Sequence, residues 1–148
     1  MTRKCNLMLV DDDENDRLLF GSALKDTGLD VELFEAPDGC AAINYLLSAE
    51  PAEFPLPDVV FLDLKMPAMD GFEVLKEIRS HPELKRLTIF VLSHSSERSD
   101  MVRAHALGAD AAYKKPTHYK DLVGLLLTVL TPWCNIAPGD SPRKSKET

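Results

Sequence analysis

A chain of 148 residues, 45% hydrophobic and 28% charged, is long enough to bury one core without disulfide or metal staples. Its net charge of −7 argues against a nucleic-acid-binding surface, which needs a basic face to meet phosphates. No apolar run approaches the roughly 20 residues of a membrane helix, and the short run at 7–10 leads into acids rather than a leader peptide, so a cytoplasmic protein is expected, without membrane contact.

Residues 6–10, apolar from Leu7 to Val10, read as a buried strand, followed at once by Asp11, Asp12 and Asp13. Asp13, three residues before Asp16, is a capping start for a helix that carries Leu18, Leu19 and Ala23 and ends at Gly28. Residues 31–34 form a second strand, Asp38-Gly39 a turn, and Ile43, Leu46 and Leu47 belong to the next helix. Pro51, Pro55 and Pro57 mark a loop, since proline continues neither element.

The third strand, 59–62, is apolar throughout, as in a parallel sheet covered on both faces, and Asp63 stands at its C-terminal end. A loop over 65–71 leads to Asp70 and Glu73, a capping box opening a helix with Val74, Leu75 and Ile78 inside; His81-Pro82 stops it. A fourth strand at 88–92 reaches Ser93. A helix over about 99–107 is closed by Gly108, and a short strand through Ala112 and Tyr113 runs to Lys115-Pro116. The last helix spans 119–130, ahead of Pro132.

Five strand–helix repeats imply an α/β fold, a doubly wound parallel sheet with helices on both faces. Residues 1–133 are expected to be the folded domain. Residues 134–148, rich in Pro, Gly, Ser and Lys, are expected to be a disordered tail. Cys5, Cys40 and Cys134 are odd in number and far apart, which reads as three free thiols in a reducing compartment. The four histidines (His81, His94, His105 and His118) lack metal-ligand spacing and read as surface or loop residues.

Sites in open α/β sheets form at the C-terminal strand ends. Asp11 and Asp12, Asp63, Ser93 and Lys115 follow or end strands one, three, four and five. Taken singly, such residues are helix caps, turn residues or solvated loop lysines. Together they set three carboxylates, a hydroxyl and an ammonium on one rim. Carboxylates this close repel unless a cation intervenes, and all-oxygen ligands suit Mg²⁺. A carboxylate can also attack phosphorus, a reaction that needs charge neutralisation and positioning more than covalent help.

The stretches Leu-Met-Leu-Val-Asp-Asp-Asp at 7–13, Val-Val-Phe-Leu-Asp-Leu-Lys-Met-Pro-Ala-Met-Asp-Gly at 59–71, Phe-Val-Leu-Ser at 90–93 and Gly-Ala-Asp-Ala-Ala-Tyr-Lys-Lys-Pro at 108–116 resemble a response-regulator receiver domain over roughly residues 5–131. The resemblance implies a flavodoxin-like (βα)5 fold with strand order 2-1-3-4-5. It implies phosphorylation on Asp63, with Mg²⁺ bound by Asp12 directly, Asp11 through water, Asp63 and the Lys65 carbonyl. It gives Ser93 and Lys115 to the phosphoryl group, and to Pro116 a preceding cis bond; Pro67 and Gly71 would shape the adjoining loop. The position three before the lysine, commonly a rotating Tyr or Phe in this family, is Ala112, and Tyr113 should point to the opposite face.

The 51–57 insertion, Leu-Ser-His-Ser after strand four and Trp133 resemble the small receivers that serve bacterial phytochrome and related histidine kinases. The implied role is a stand-alone response regulator of a phosphorelay, one that catalyses its own phosphoryl transfer and dephosphorylation without being an enzyme in the usual sense. About 15 residues follow Trp133, so output is expected through contact with a downstream protein. The last helix carries two stripes, Leu122, Leu126 and Val129 for the core and Val123, Leu127 and Leu130 on a second face, which suggests a C2 homodimer.

Other classes fit less well. A haloacid-dehalogenase-type phosphatase wants an acid two residues after its nucleophile, where this chain has Lys65. A flavin module wants a phosphate-binding loop where this chain has three aspartates. A degenerate receiver, binding partners without phosphorylation, has no need to keep all five rim residues.

Overall fold

The computed structural model describes residues 4–48, 56–67, 69–94 and 97–134. Five strands, β1 (Cys5–Val10), β2 (Val31–Ala36), β3 (Val59–Leu62), β4 (Thr88–Ser93) and β5 (Ala111–Lys114), pair in parallel in the order β2-β1-β3-β4-β5. Five α-helices alternate with them: α1 (Glu14–Thr27), α2 (Gly39–Leu47), α3 (Gly71–Ser80), α4 (Arg98–Ala106) and α5 (Tyr119–Leu130). A short 3-10 turn at Pro82–Leu84 follows α3. The expected fold and strand order are therefore observed. The 51–55 part of the proline loop and residues 135–148 of the expected tail lie outside the described residues.

Local chemistry sets the helix boundaries. Asp13 caps α1 by accepting from the Asp16 amide, and Gly28 ends that helix at φ 76°, a left-handed conformation that glycine adopts without Cβ strain. The Asp70–Glu73 capping box of α3 is formed in both directions. Of the apolar residues that α1 carries, only some face inward. Phe20, Ala23 and Leu24 are buried, whereas Leu18 is 70% and Leu19 50% exposed. A helix advances about 100° per residue, so three successive apolar residues cannot all face one sheet.

The sheet separates two apolar layers. One packs α2, α3 and α4 through Val60, Leu62, Leu75, Ile78, Ile89 and Val91. The other packs α1 and α5 through Leu7, Leu9, Phe61, Phe90, Leu126 and Leu130. Ala112 joins the first layer and Tyr113 the second, as strand alternation requires. Tyr113 meets Phe90 edge-on at 5.9 Å, in a line of aromatic contacts that continues to Phe61 and Phe20. Leu130 is fully buried rather than part of a second face. Helix α5 packs against α1 as well as against the sheet, so more of its circumference is covered than a helix with one neighbour would need.

The cysteines overturn the free-thiol expectation. Cys5 and Cys134 are joined as a disulfide with Cα atoms 5.3 Å apart, and Cys40 alone is free. Their 129-residue separation says nothing of distance once α5 returns the chain to the start of β1. The described fold thus extends to Cys134, one residue past the expected boundary.

Candidate functional site

Adjacent central strands deliver two carboxylates to the same edge. The Asp11 amide donates to the Ala36 carbonyl at 3.1 Å, and the Asp63 amide donates to the Val10 carbonyl at 3.0 Å, so each acid stands one residue beyond its strand. Asp12 follows Asp11, and carboxylate oxygens of Asp11, Asp12 and Asp63 lie within 4.8 Å of one another. Asp11 and Asp63 are buried, Asp63 to 6% exposure, while Asp12 is open to solvent.

Asp11 is held on several sides. Its Oδ1 accepts from the Asp13 amide at 3.0 Å, and its carbonyl accepts from Arg17 Nη1 at 2.8 Å. Arg17 also donates to Glu35 at 3.2 Å. Beneath Asp63 lies Gly71, whose amide donates to the Leu64 carbonyl at 2.9 Å. A Cβ at Gly71 would run into the backbone of Asp63 and Leu64, so glycine lets α3 begin directly against the acid-bearing turn.

Lys115 reaches the acids from the end of β5, its amide donating to the Ser93 carbonyl at 2.7 Å. Its ammonium donates to Asp11 Oδ2 at 2.7 Å and to Asp16 Oδ2 at 2.9 Å, and stands 4.0 Å from Asp63 Oδ2. Ser93 is fully buried as the last residue of β4, opposite Lys114. The Lys65 amide approaches Asp63 Oδ1 at 3.5 Å, and the Lys65 side chain pairs with Asp100 in the first turn of α4 at 3.3 Å.

Electrostatics follow from this packing. Burial pushes the Asp63 carboxyl up to about 6; Lys115 opposes the shift, and the neighbouring Asp11 and Asp12 add to it. Burial acts to lower the Lys115 ammonium, yet its hydrogen bonds to Asp11 and Asp16 hold it above its usual range. Burial acts to raise Asp16, but Lys115 and then His94 keep its carboxyl low. Three carboxylates with all-oxygen donors, one of them open to solvent, fit a hard divalent cation that keeps part of its water shell.

The sequence-derived site residues thus gather on one rim. Two neighbours were missed. Asp16 reads from sequence as a helix-cap partner, and His94 as a loop residue, yet His94 Nε2 donates to Asp16 Oδ2 at 3.1 Å, beside Lys115. The available signal was a fourth aspartate, in the first turn of the helix that leaves the rim. The family-based expectation of a cis bond before Pro116 is corrected: the described residues contain no cis peptide, and trans is the intrinsically favoured isomer by about 0.5–1 kcal/mol for X–Pro.

A parallel α/β sheet with an acid cluster and a lysine at its C-terminal rim defines a phosphoacceptor class of signalling domain. Residues 7–127 match the family model for the response regulator receiver domain, and the chain belongs to that family. Response regulator Rcp1 from Synechocystis is 34% identical over 128 residues, covering 86% of this chain and 87% of its relative. The crystal structure of the phosphorylated cyanobacterial phytochrome response regulator RcpA superposes with a TM-score of 0.79 at 32% identity, covering 88% and 94% of the two chains. That of the Mn²⁺-bound form of response regulator Rcp1 gives 0.76 at 31% identity, covering 93% and 99%.

Proposed function

We propose that Asp63 accepts a phosphoryl group from a phosphohistidine on a sensor histidine kinase, with Mg²⁺ held by Asp11, Asp12, Asp63 and the Lys65 carbonyl. The observation that carries this reading is the convergence of three carboxylates, within 4.8 Å, on a rim that also holds the Lys115 ammonium. An Asp63 oxygen attacks phosphorus; the P–O bond forms as the P–N bond breaks, and the bonding pair leaves with the imidazole. A carboxylate with raised basicity is a better nucleophile than an ordinary one and is still mostly ionised at neutral pH. Lys115 and the Ser93 hydroxyl donate to the phosphoryl oxygens. Bound Mg²⁺ supplies the remaining neutralising charge. Later attack by water on phosphorus breaks the bond to the Asp63 oxygen, which returns the carboxylate and releases inorganic phosphate.

The likeness to RcpA and Rcp1 favours a phytochrome-type kinase as donor. The chain acts as one receiver unit, in the cytoplasm, and passes its signal by contact with a downstream protein. A second copy is a further partner: Leu127 on α5 and Trp133 beyond it stand 42% and 47% exposed. Sedimentation of wild type and Leu127→Glu tests that pairing, with a dimer expected for wild type only.

The test of the central reading is intact mass spectrometry after incubation with acetyl phosphate, with and without Mg²⁺. One Mg²⁺-dependent phosphoryl adduct on wild type and none on Asp63→Asn is expected. An equal adduct on Asp63→Asn overturns the site. No adduct from either acetyl phosphate or a phosphorylated kinase favours a binding module that works without phosphorylation.

A further inference from the structure

The Lys115 ammonium does not rest on the carboxylate it is proposed to serve. Two of its donors are taken by Asp11 at 2.7 Å and Asp16 at 2.9 Å, whereas Asp63 stands 4.0 Å away, beyond hydrogen-bond distance. Asp11 belongs to the acid cluster, but Asp16 does not: it lies a turn further along, in α1. Its backbone is fixed, since its amide is the donor that satisfies the Asp13 cap. The same Asp16 oxygen that receives Lys115 also receives His94 Nε2 at 3.1 Å. One carboxylate oxygen therefore joins the first turn of α1, the end of β5 and the loop after β4. Beside these side chains is a crevice of about 60 Å³, lined by Asp11, Asp16, His94 and Lys115 together with apolar side chains.

We infer that Asp16 is a positioning residue that latches Lys115 on the α1 side of the rim and so opposes occupancy of Asp63 by a phosphoryl group. The inference rests on the phosphoacceptor reading. A phosphoryl group on Asp63 offers oxygen acceptors to Lys115, and Asp16 competes with them for the same ammonium. Asp16 also adds negative charge beside an incoming anion. Both effects act in one direction: neutralising Asp16 favours the occupied state. His94 shares the Asp16 oxygen, so removing its ring leaves that oxygen more fully to Lys115 and strengthens the latch.

The test is binding of beryllofluoride, which mimics an acyl phosphate on a carboxylate, followed by fluorine NMR in Mg²⁺ for wild type, Asp16→Asn, His94→Ala, the double variant and Asp63→Asn. Asp16→Asn keeps the side-chain shape and is expected to bind about fivefold tighter, the scale of one partly exposed ion pair. His94→Ala is expected to bind more weakly by a smaller factor. The double variant should match Asp16→Asn, because His94 acts through Asp16. Opposite signs from two neighbouring residues do not arise from general loosening of the rim. If wild type binds through Asp63 but Asp16→Asn binds equally or more weakly, the latch is overturned and the phosphoacceptor reading stands. Tighter binding by His94→Ala also overturns the latch. If wild type and Asp63→Asn bind alike, or neither binds, the phosphoacceptor reading falls and the latch falls with it.

Discussion

Asp63 carries an energetic cost at neutral pH. Its carboxyl titrates near the ordinary 3.8 when the chain is unfolded, and burial raises it to about 6 in the fold. As pH rises between these values, the unfolded chain loses its proton first, so stability falls and the full penalty remains above 6. That penalty is on the order of 3 kcal/mol. Asp63→Asn should therefore exceed wild type in metal-free stability by about this amount at pH 7.5 and lose its advantage near pH 4. Added Mg²⁺ should stabilise wild type far more than the variant. Urea melts at the two pH values check both statements.

Lys115 poses the complementary case. Lys115→Ala strips the ammonium from the buried Asp11, which costs about 3 kcal/mol without metal. Because Lys115 is not a metal ligand, calorimetry should find Mg²⁺ bound at least as tightly as by wild type, and Mg²⁺ should recover part of the lost stability. At this scale the sequence was informative wherever a polar residue directly ends or follows an apolar strand, as Asp11, Asp63, Ser93 and Lys115 do. Asp16 was opaque because its partners are remote: Lys115 is 99 residues away and His94 is 78.

Among the elements, α3 is the one most tightly registered to the chemistry. Its first residue, Gly71, touches the backbone that carries Asp63. Gly71→Ala should destabilise by about 1–3 kcal/mol through overpacking and should slow phosphorylation by acetyl phosphate, although no charge or ligand changes. Unaltered kinetics would show that the contact does not position Asp63. The far end of α3 is fastened by Arg79, which donates to the carbonyls of Leu84, Lys85, Leu87 and Gly108 and to Asp110. Helix α4 is held differently, burying only Ala104 within its span, with the Lys65–Asp100 pair at its first turn. Capping residues made α1 and α3 legible in the sequence. The inward face of α1 was harder, since Leu18-Leu19-Phe20 offers three phases, and only Ala23 and Leu24 single out Phe20.

At the scale of the whole molecule, the alternation of strands and helices was enough to give five parallel strands covered on both faces, while their order followed from the resemblance to receiver domains. The sulfur pairing was not, because no local pattern links residue 5 to residue 134. With Cys5 and Cys134 joined, reductant should lower the stability of the folded chain by up to about 5 kcal/mol, as expected for closing so long a loop. Thiol alkylation of the native protein should label Cys40 alone before reduction and all three cysteines after reduction and unfolding. Three labels without reductant, or identical melts with and without it, would contradict the pairing.

The same bond places residues 5 and 134 side by side at the start of β1, whereas Asp11 and Asp63 lie past the other ends of the strands. A fluorophore or surface tether attached next to either residue therefore leaves from the floor of the sheet. It would leave the rim clear, so binding and transfer at Asp63 can be followed on an immobilised or labelled chain without the handle obstructing approach.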